Sequence, residues 1–195
     1  MSALETAVQP FLIPLITGAG CIVSKEAKTA IATWFFLKIL VVEQVSYRDI
    51  PPSPIFTQMD RSEFMDDRKI HSGVRIWIAN QRGLSWCGGY FRHPVELLAS
   101  VEGSPNHSLS GVRNSQTVAW GINKLVFFST ATTNEELLHL FEIGKIGPIY
   151  QIWPLDSSDF LWPPPYVLND PFIDLLANWM ELFLAQVRAD NNIRV

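Results

Sequence analysis

Between Thr29 and Val42 the chain carries one charge, Lys38, in a run otherwise made of apolar residues, alanine and threonine. A bilayer span needs about 20 consecutive apolar residues, so this run is too short and too interrupted for a good one. Ser24 stands in front of it with a hydroxyl suited to capping free amides at a helix start. The spacing therefore predicts a helix from Ser24 to about Val45, apolar on nearly every side. Such a helix must be covered on most of its faces. The rest of the chain has to supply the walls.

One wall is a first helix from Ala3 towards Ile16. Ser2 and Glu5 have the spacing of a capping box. Pro10 and Pro14 each remove a backbone donor, which predicts a kink or a break. Thr17-Gly18-Ala19-Gly20 then ends the helix, since glycine accepts the left-handed capping conformation. Arg48 to Phe56 holds Pro51, Pro52 and Pro54 and reads as extended or turned. Asp60 to Ile70 is polar and reads as a short exposed helix.

Beyond this point the hydrophobic period changes from that of a helix to that of a strand. Val74, Ile76 and Ile78 alternate with Arg75, Trp77 and Ala79, the period of a strand. A second strand is read at Leu84 to Phe91, with Gly88-Gly89 marking a bulge or a close approach, and a third at Glu96 to Val101. Glu102 to Gln116 is rich in Gly, Ser, Asn and Pro and reads as an exposed loop. Thr117 to Thr130 is strongly strand-like, with Val118, Trp120, Ile122, Leu125 and Phe127 available for burial. Asn123-Lys124 inside it is either a turn or a bulge. Glu135 to Glu142 reads as a short helix or irregular structure, and Ile149 to Trp153 as a last strand. Pro154 and Pro163-Pro164-Pro165 belong at edges or in loops. Asp170 as a cap with Pro171 at the first helical position opens a closing helix. Phe172, Leu175, Leu176, Trp179, Leu182 and Phe183 recur along it at helical spacing. Helices, then strands, then a helix predict a single α+β domain over residues 1–195. Its N-terminal helices and C-terminal helix pack on a mostly antiparallel sheet.

Composition supports a packed core. The 195 residues are 48% hydrophobic and 17% charged, with a formal charge of -4, which does not favour broad nonspecific DNA binding. The charge is uneven. Ile76 to Thr130 holds four Arg/Lys against two Glu, and Ala131 onward three against nine Asp/Glu. Two cysteines, Cys21 and Cys87, are too few for a four-thiolate zinc site. No charged-then-apolar leader opens the chain. A cytoplasmic protein with free thiols, off the membrane, is the expectation.

His71, His93, His107 and His139 form no His-Glu-x-x-His or close Cys/His array. Glu63, Asp66 and Asp67 are either a hard-cation site or a solvated acidic face. The sequence assigns no catalytic residue, no metal ligand and no cofactor. Arg75, Trp77, Arg82, Trp86 and Arg92, with Tyr90 and His93 beside them, form the one candidate nucleic-acid surface. Basic groups neutralise phosphates and aromatic faces stack on unpaired bases. The competing reading puts the aromatics in the core and the arginines at exposed edges. Trp153 and Trp162 with their prolines form either a peptide-binding groove or a buried clasp.

The opening Met1-Ser2-Ala3-Leu4-Glu5, Pro14-Leu15-Ile16 with Gly18, and Ala32-Thr33-Trp34 with Lys38 resemble the region after the zinc knuckle in bacterial and phage HNH-endonuclease-like proteins. Ile152-Trp153-Pro154 and Leu161-Trp162-Pro163-Pro164 resemble that family's closing segment. In the family the Cys-x-x-Cys pair, the Glu-His pair and the Cys-x-x-Cys-Asn stretch lie upstream of these motifs. The resemblance therefore implies no catalytic or metal residue on this chain. It implies a non-catalytic interaction domain that binds a protein complex or a nucleic acid. Two alternatives accompany it: a fragment of an HNH nuclease whose catalytic part lies elsewhere, and a stand-alone phage or mobile-element inhibitor of a host defence complex.

Overall fold

The computed structural model describes residues 3–45, 52–97, 113–135, 137–138, 148–156 and 158–178. The fold is α+β. Helix α1 spans Ala3–Thr17, strand β1 Cys21–Val23, helix α2 Lys25–Val42 and helix α3 Gln58–Asp67. Strands β2 Val74–Asn80, β3 Tyr90–Val95, β4 Ser115–Ile122, β5 Leu125–Thr132, β6 Tyr150–Trp153 and β7 Phe160–Trp162 follow. Residues 170–178 form a closing helical stretch.

Five strands make one antiparallel sheet in the order β3-β4-β5-β2-β6, and β1 pairs with β7 in a separate antiparallel ribbon. Because side chains alternate along a strand, the sheet has two apolar faces. Val74, Ile76 and Ile78 of β2, Val118 of β4 and Leu125 and Phe127 of β5 join a core with α1, α2 and α3. Trp77, Ala79, Ala119, Val126 and Phe128 point the other way, into a second core with Ile173, Leu176 and Ala177 of the closing stretch. The central strands are thus buried on both faces.

Helix α2 is the structural centre of the first core. Phe35 stacks on Phe127 with ring centroids 4.2 Å apart and planes 10° apart. Trp34 stacks on Trp120 at 6.1 Å. Such pairs contribute about 0.5–1.5 kcal/mol beyond area burial. Ser24 caps α2, its hydroxyl accepting the Ala27 amide at 3.2 Å. The helix stops at Val42, three residues before the expected Val45. The Glu43 amide still donates to the Ile39 carbonyl, while its side chain turns into the protein.

Helix α1 is helical through both prolines, so of the expected kink or break, the break does not occur. Its buried stripe is Val8, Leu12 and Leu15. Pro10 is exposed, so the missing donor is lost on the side away from that stripe. The helix ends as the glycines predicted. Gly18 has φ 76°, Ala19 N–H donates to the Pro14 carbonyl, and Gly18 N–H donates to the Leu15 carbonyl. These two bonds are the Schellman pattern. Helix α3 begins with a reciprocal capping box between Thr57 and Asp60 and buries Phe64.

Asn123-Lys124 is the two-residue turn of a hairpin, with Ile122 opposite Leu125. Asn123 has φ 50°, a conformation that asparagine tolerates well. The predicted strand Leu84–Phe91 is instead a 3-10 turn at Ser85–Cys87 followed by β3. The Asp170 carboxylate holds this turn by accepting the amides of Leu84 and Ser85 at 3.0 and 3.2 Å and of Trp86 at 3.3 Å. Gly121 lets β4 pass beside it, because a Cβ there would fall on the Trp86 carbonyl oxygen. With Asp170 so engaged, Asn169 caps the closing helix, its Oδ1 accepting the Phe172 amide at 3.1 Å. Ile173, Leu176 and Ala177 form its buried side, whereas Phe172 and Leu175 are exposed.

Glu96 and Leu97 extend no strand. The Asn114 side chain bonds both the amide and the carbonyl of Leu97, at 2.9 and 2.7 Å, in place of a backbone ladder. Ser115 and Gln116, read as loop, belong to β4. Strand β6 is not the last, since β7 follows it. The readings at 1–2, 46–51, 98–112, 136, 139–147 and 179–195 lie outside the described residues, among them Ser2, Arg48, Pro51, His107, His139, Trp179, Leu182 and Phe183.

Candidate interaction surface

The β1–β7 ribbon is short, yet its inner face is anchored. Val23 and Trp162 are buried in the helix-side core, and Cys21 and Phe160 pack against it. The Lys28 side chain, 1% exposed, secures the approach to β7. Its ammonium pairs with the Asp156 carboxylate, donates to the Ser158 carbonyl, and lies 5.3 Å from the centroid of the Phe160 ring. Partial burial pushes the Asp156 carboxyl upward, but the bonds from Lys28 and Ser158 outweigh it and hold the group below its ordinary range. Phe160 also stacks on Tyr150 at 4.6 Å.

The outer face of the ribbon is different. Ile22 pairs with Leu161 across the two strands, and the two are 63% and 73% exposed. Residues directly opposite in an antiparallel pair have Cβ atoms about 4.5–5.5 Å apart on the same face. The ribbon therefore presents a joined apolar knob on a backbone fixed from behind. Trp162 is a buried clasp rather than the wall of an open groove, and Trp153 packs half-buried on the same core.

A second constellation sits under the helix face of the sheet. Glu43 is fully buried. Its Oε2 accepts from Arg61 Nη2 at 2.6 Å, and its Oε1 accepts from Gln116 Nε2 at 2.8 Å and the Ile55 amide at 3.3 Å. Arg92 Nη2 lies 3.6 Å from Oε1. Burial pushes the Glu43 carboxyl up, and Arg92, Arg61 and the Ile55 amide pull it back only in part. Arg92 also donates to Gln116 Oε1 at 2.6 Å and to the Ser53 carbonyl at 2.7 Å, and Arg61 to the Leu40 carbonyl at 2.6 Å. This network ties α2, the segment before α3, α3, β3 and β4 together. No local pattern announces this network, because its members are scattered along the chain. The one usable signal is parity: Arg92 precedes a strand neighbour, His93, that must face the other way.

The candidate nucleic-acid residues do not share one surface. Arg75 and Trp77 lie on the face opposite α1–α3, where Trp77 is buried in the second core. Trp86 is buried there as well, its Nε1 donating to Asp174 Oδ1 at 2.9 Å. Arg92 lies on the helix face in the Glu43 network, and Tyr90 packs edge-on against Trp120 on that same face. Arg82 is exposed. His93, on the face of Arg75, stacks parallel to Phe91 at 6.5 Å. His71 accepts the Gly73 amide at 3.0 Å through Nδ1, and burial lowers its pKa. Both cysteines are free thiols. Among the described residues no group of three His, Cys, Asp or Glu is placed to hold a metal ion, and no helix is long and apolar enough to cross a membrane. Glu63 pairs with Lys69 at 3.5 Å, while Asp66 and Asp67 are exposed.

No family model, curated protein or solved structure matches the chain.

Proposed function

We propose that this chain is a non-catalytic interaction domain, related to the C-terminal part of HNH-like bacterial or phage proteins, that docks a protein partner on the β1–β7 ribbon. The observation that carries this reading is the exposed Ile22–Leu161 pair. Single exposed apolar residues are ordinary, but a joined pair on a rigid element is a contact surface in the making. Buried Lys28 and the clasped Trp162 fix the ribbon before any partner arrives, which reduces the ordering cost of association. A protein partner is favoured over a nucleic acid for two reasons. The chain is acidic, and the aromatic side chains suited to base stacking, Trp77 and Trp86, are occupied in the core.

A photo-crosslinking amino acid in place of Leu161, introduced in cells that make the protein, tests this. We expect a discrete protein adduct that disappears when Ile22→Ser is added. Absence of an adduct overturns the reading. Salt-dependent capture of an oligonucleotide would then move the assignment to a nucleic-acid partner.

A further inference from the structure

From β7 onward the chain runs as a strap from one core to the other. Trp162 is buried in the helix-side core, Pro164 is buried after it, and Leu168 is buried in the second core. The far end is tied by the backbone. The Leu168 amide donates to the Asn80 carbonyl at 2.8 Å, and the Leu168 carbonyl accepts the Arg82 amide at 2.8 Å. Between and beside these anchors Leu161, Pro163, Pro165, Tyr166 and Val167 are all exposed. Tyr166 is 69% exposed.

Single exposed apolar residues need no explanation. Pro165, Tyr166 and Val167 are three in succession, a pattern that works against solubility unless a partner uses it. The strip is also continuous with the Ile22–Leu161 pair, because Leu161 belongs to both. From Leu161 to Val167 there is no charged residue, so no ion pair directs recognition within the strip. Three of its seven residues are prolines, which have no amide hydrogen to offer. A partner is left with ring and methyl surface to pack on and carbonyl oxygens to donate to. Tryptophan and tyrosine supply both, and aromatic-lined grooves are a recurrent answer to proline-rich segments. The fixed φ of the prolines and the buried anchors leave the strap little freedom to lose on binding.

A second copy of this chain is a poor occupant. Besides Tyr166, the exposed aromatic side chains among the described residues are Tyr90 and Phe172. They lie on opposite sides of the sheet, Tyr90 against Trp120 and Phe172 on the closing helix, so they do not line one groove. We propose that the Leu161–Val167 strap is the second half of the docking face and seats in an aromatic-lined groove of a different protein, with the Ile22–Leu161 knob beside it. This inference rests on the reading of the ribbon as a docking surface.

The experiment keeps the photo-crosslinking residue at Leu161, in cells that make the full chain, and adds Tyr166→Ser with Val167→Ser. Both positions are on the surface, so the purified variant should melt with the wild type. Tyr166→Ser alone serves if it does not. The yield of the Leu161 adduct should fall at least about tenfold, the loss expected when an interface anchor is truncated. A chain with the crosslinker at Tyr166 instead should label the same partner, on a peptide that contains tryptophan, tyrosine or phenylalanine. An undiminished Leu161 adduct in the double variant overturns this inference and leaves the ribbon reading intact. A wild type that gives no adduct at Leu161 overturns both. An adduct of twice the chain's own mass, or one removed by nuclease, overturns the inference in favour of a second copy or a nucleic acid. A labelled peptide without an aromatic residue overturns it as well.

Discussion

On the helix face of the sheet, both oxygens of the buried Glu43 are bonded, and its partners Arg61 and Arg92 are bonded in turn. On the opposite face, Thr117 and Thr130 are as deeply buried, and their hydroxyls are bonded to nothing. The two regions lie on the same strands. Gln116 of β4 reaches Glu43, and Thr117, the next residue, points away from it. The difference separates a polar group that braces a fold from one that the fold merely carries. The first joins elements far apart in sequence, and its removal leaves charges stranded. The second joins nothing among the described residues, and its removal relieves a cost.

The largest effect belongs to the packing that both regions depend on. Phe35→Ala, at the stack with Phe127, should cost about 3–5 kcal/mol by chemical denaturation. A loss below about 1 kcal/mol would mean that α2 is not the centre of the first core. Glu43→Gln comes next. It keeps the size of the side chain but sets an amide against the Arg61 guanidinium, so about 1.5–3 kcal/mol should be lost, the worth of a hydrogen bond to a charged group. An unchanged unfolding midpoint would erase the contrast between the faces. Thr117→Val with Thr130→Val should go the other way, leaving stability unchanged or raising it by up to about 1 kcal/mol, since apolar groups of the same shape replace unbonded hydroxyls. A clear destabilisation would show that the hydroxyls have protein partners after all.

The smallest effect at neutral pH concerns Tyr90, beside Arg92. Although Tyr90 is 40% exposed, partial loss of water around its phenol pushes it up to about 12, Arg92 pulling it back and Glu43 adding to the rise. A raised pKa in the folded state means that the protonated phenol is favoured by folding. The associated stability is fully present below the unfolded value near 10 and is lost as pH rises through about 12. Ultraviolet titration of the wild type against Tyr90→Phe reads this directly. A phenolate appearing near 10 in the difference would place the hydroxyl in water.

Much of the fold was legible because long periodic segments declare themselves. The apolar run of α2, the Gly18 cap and the alternation of Val74 to Ile78 each rest on local chemistry. The ribbon was not legible. Cys21–Val23 and Phe160–Trp162 are too short to show a period, and the prolines after Trp162 spoke for a loop. The stretch from Leu84 to Phe91 misled because its aromatics look like a strand. The residue that makes Ser85–Cys87 a turn, Asp170, is far along the chain and looks like a helix cap. The candidate site was legible only in part. Trp162 and its prolines stood out as a groove or a clasp, but nothing in the sequence sets Ile22 beside Leu161. Only the register of β1 on β7 makes them neighbours.

The turn at Asn123-Lys124 carries one more consequence. Hairpin tips are ordinarily the safest place to splice in a label or an epitope. Here the tip is a junction. The Lys124 amide donates to the Ile16 carbonyl at 3.2 Å, the Lys124 carbonyl accepts the Gln81 amide at 2.8 Å, and the Asn123 amide donates to the Cys87 carbonyl at 2.9 Å. The Gln81 side chain donates to the Asn123 carbonyl as well. An insertion between these two residues would pull at once on the end of α1, the end of β2 and the turn before β3. For anyone grafting onto this scaffold, its most conspicuous loop is the one to leave intact.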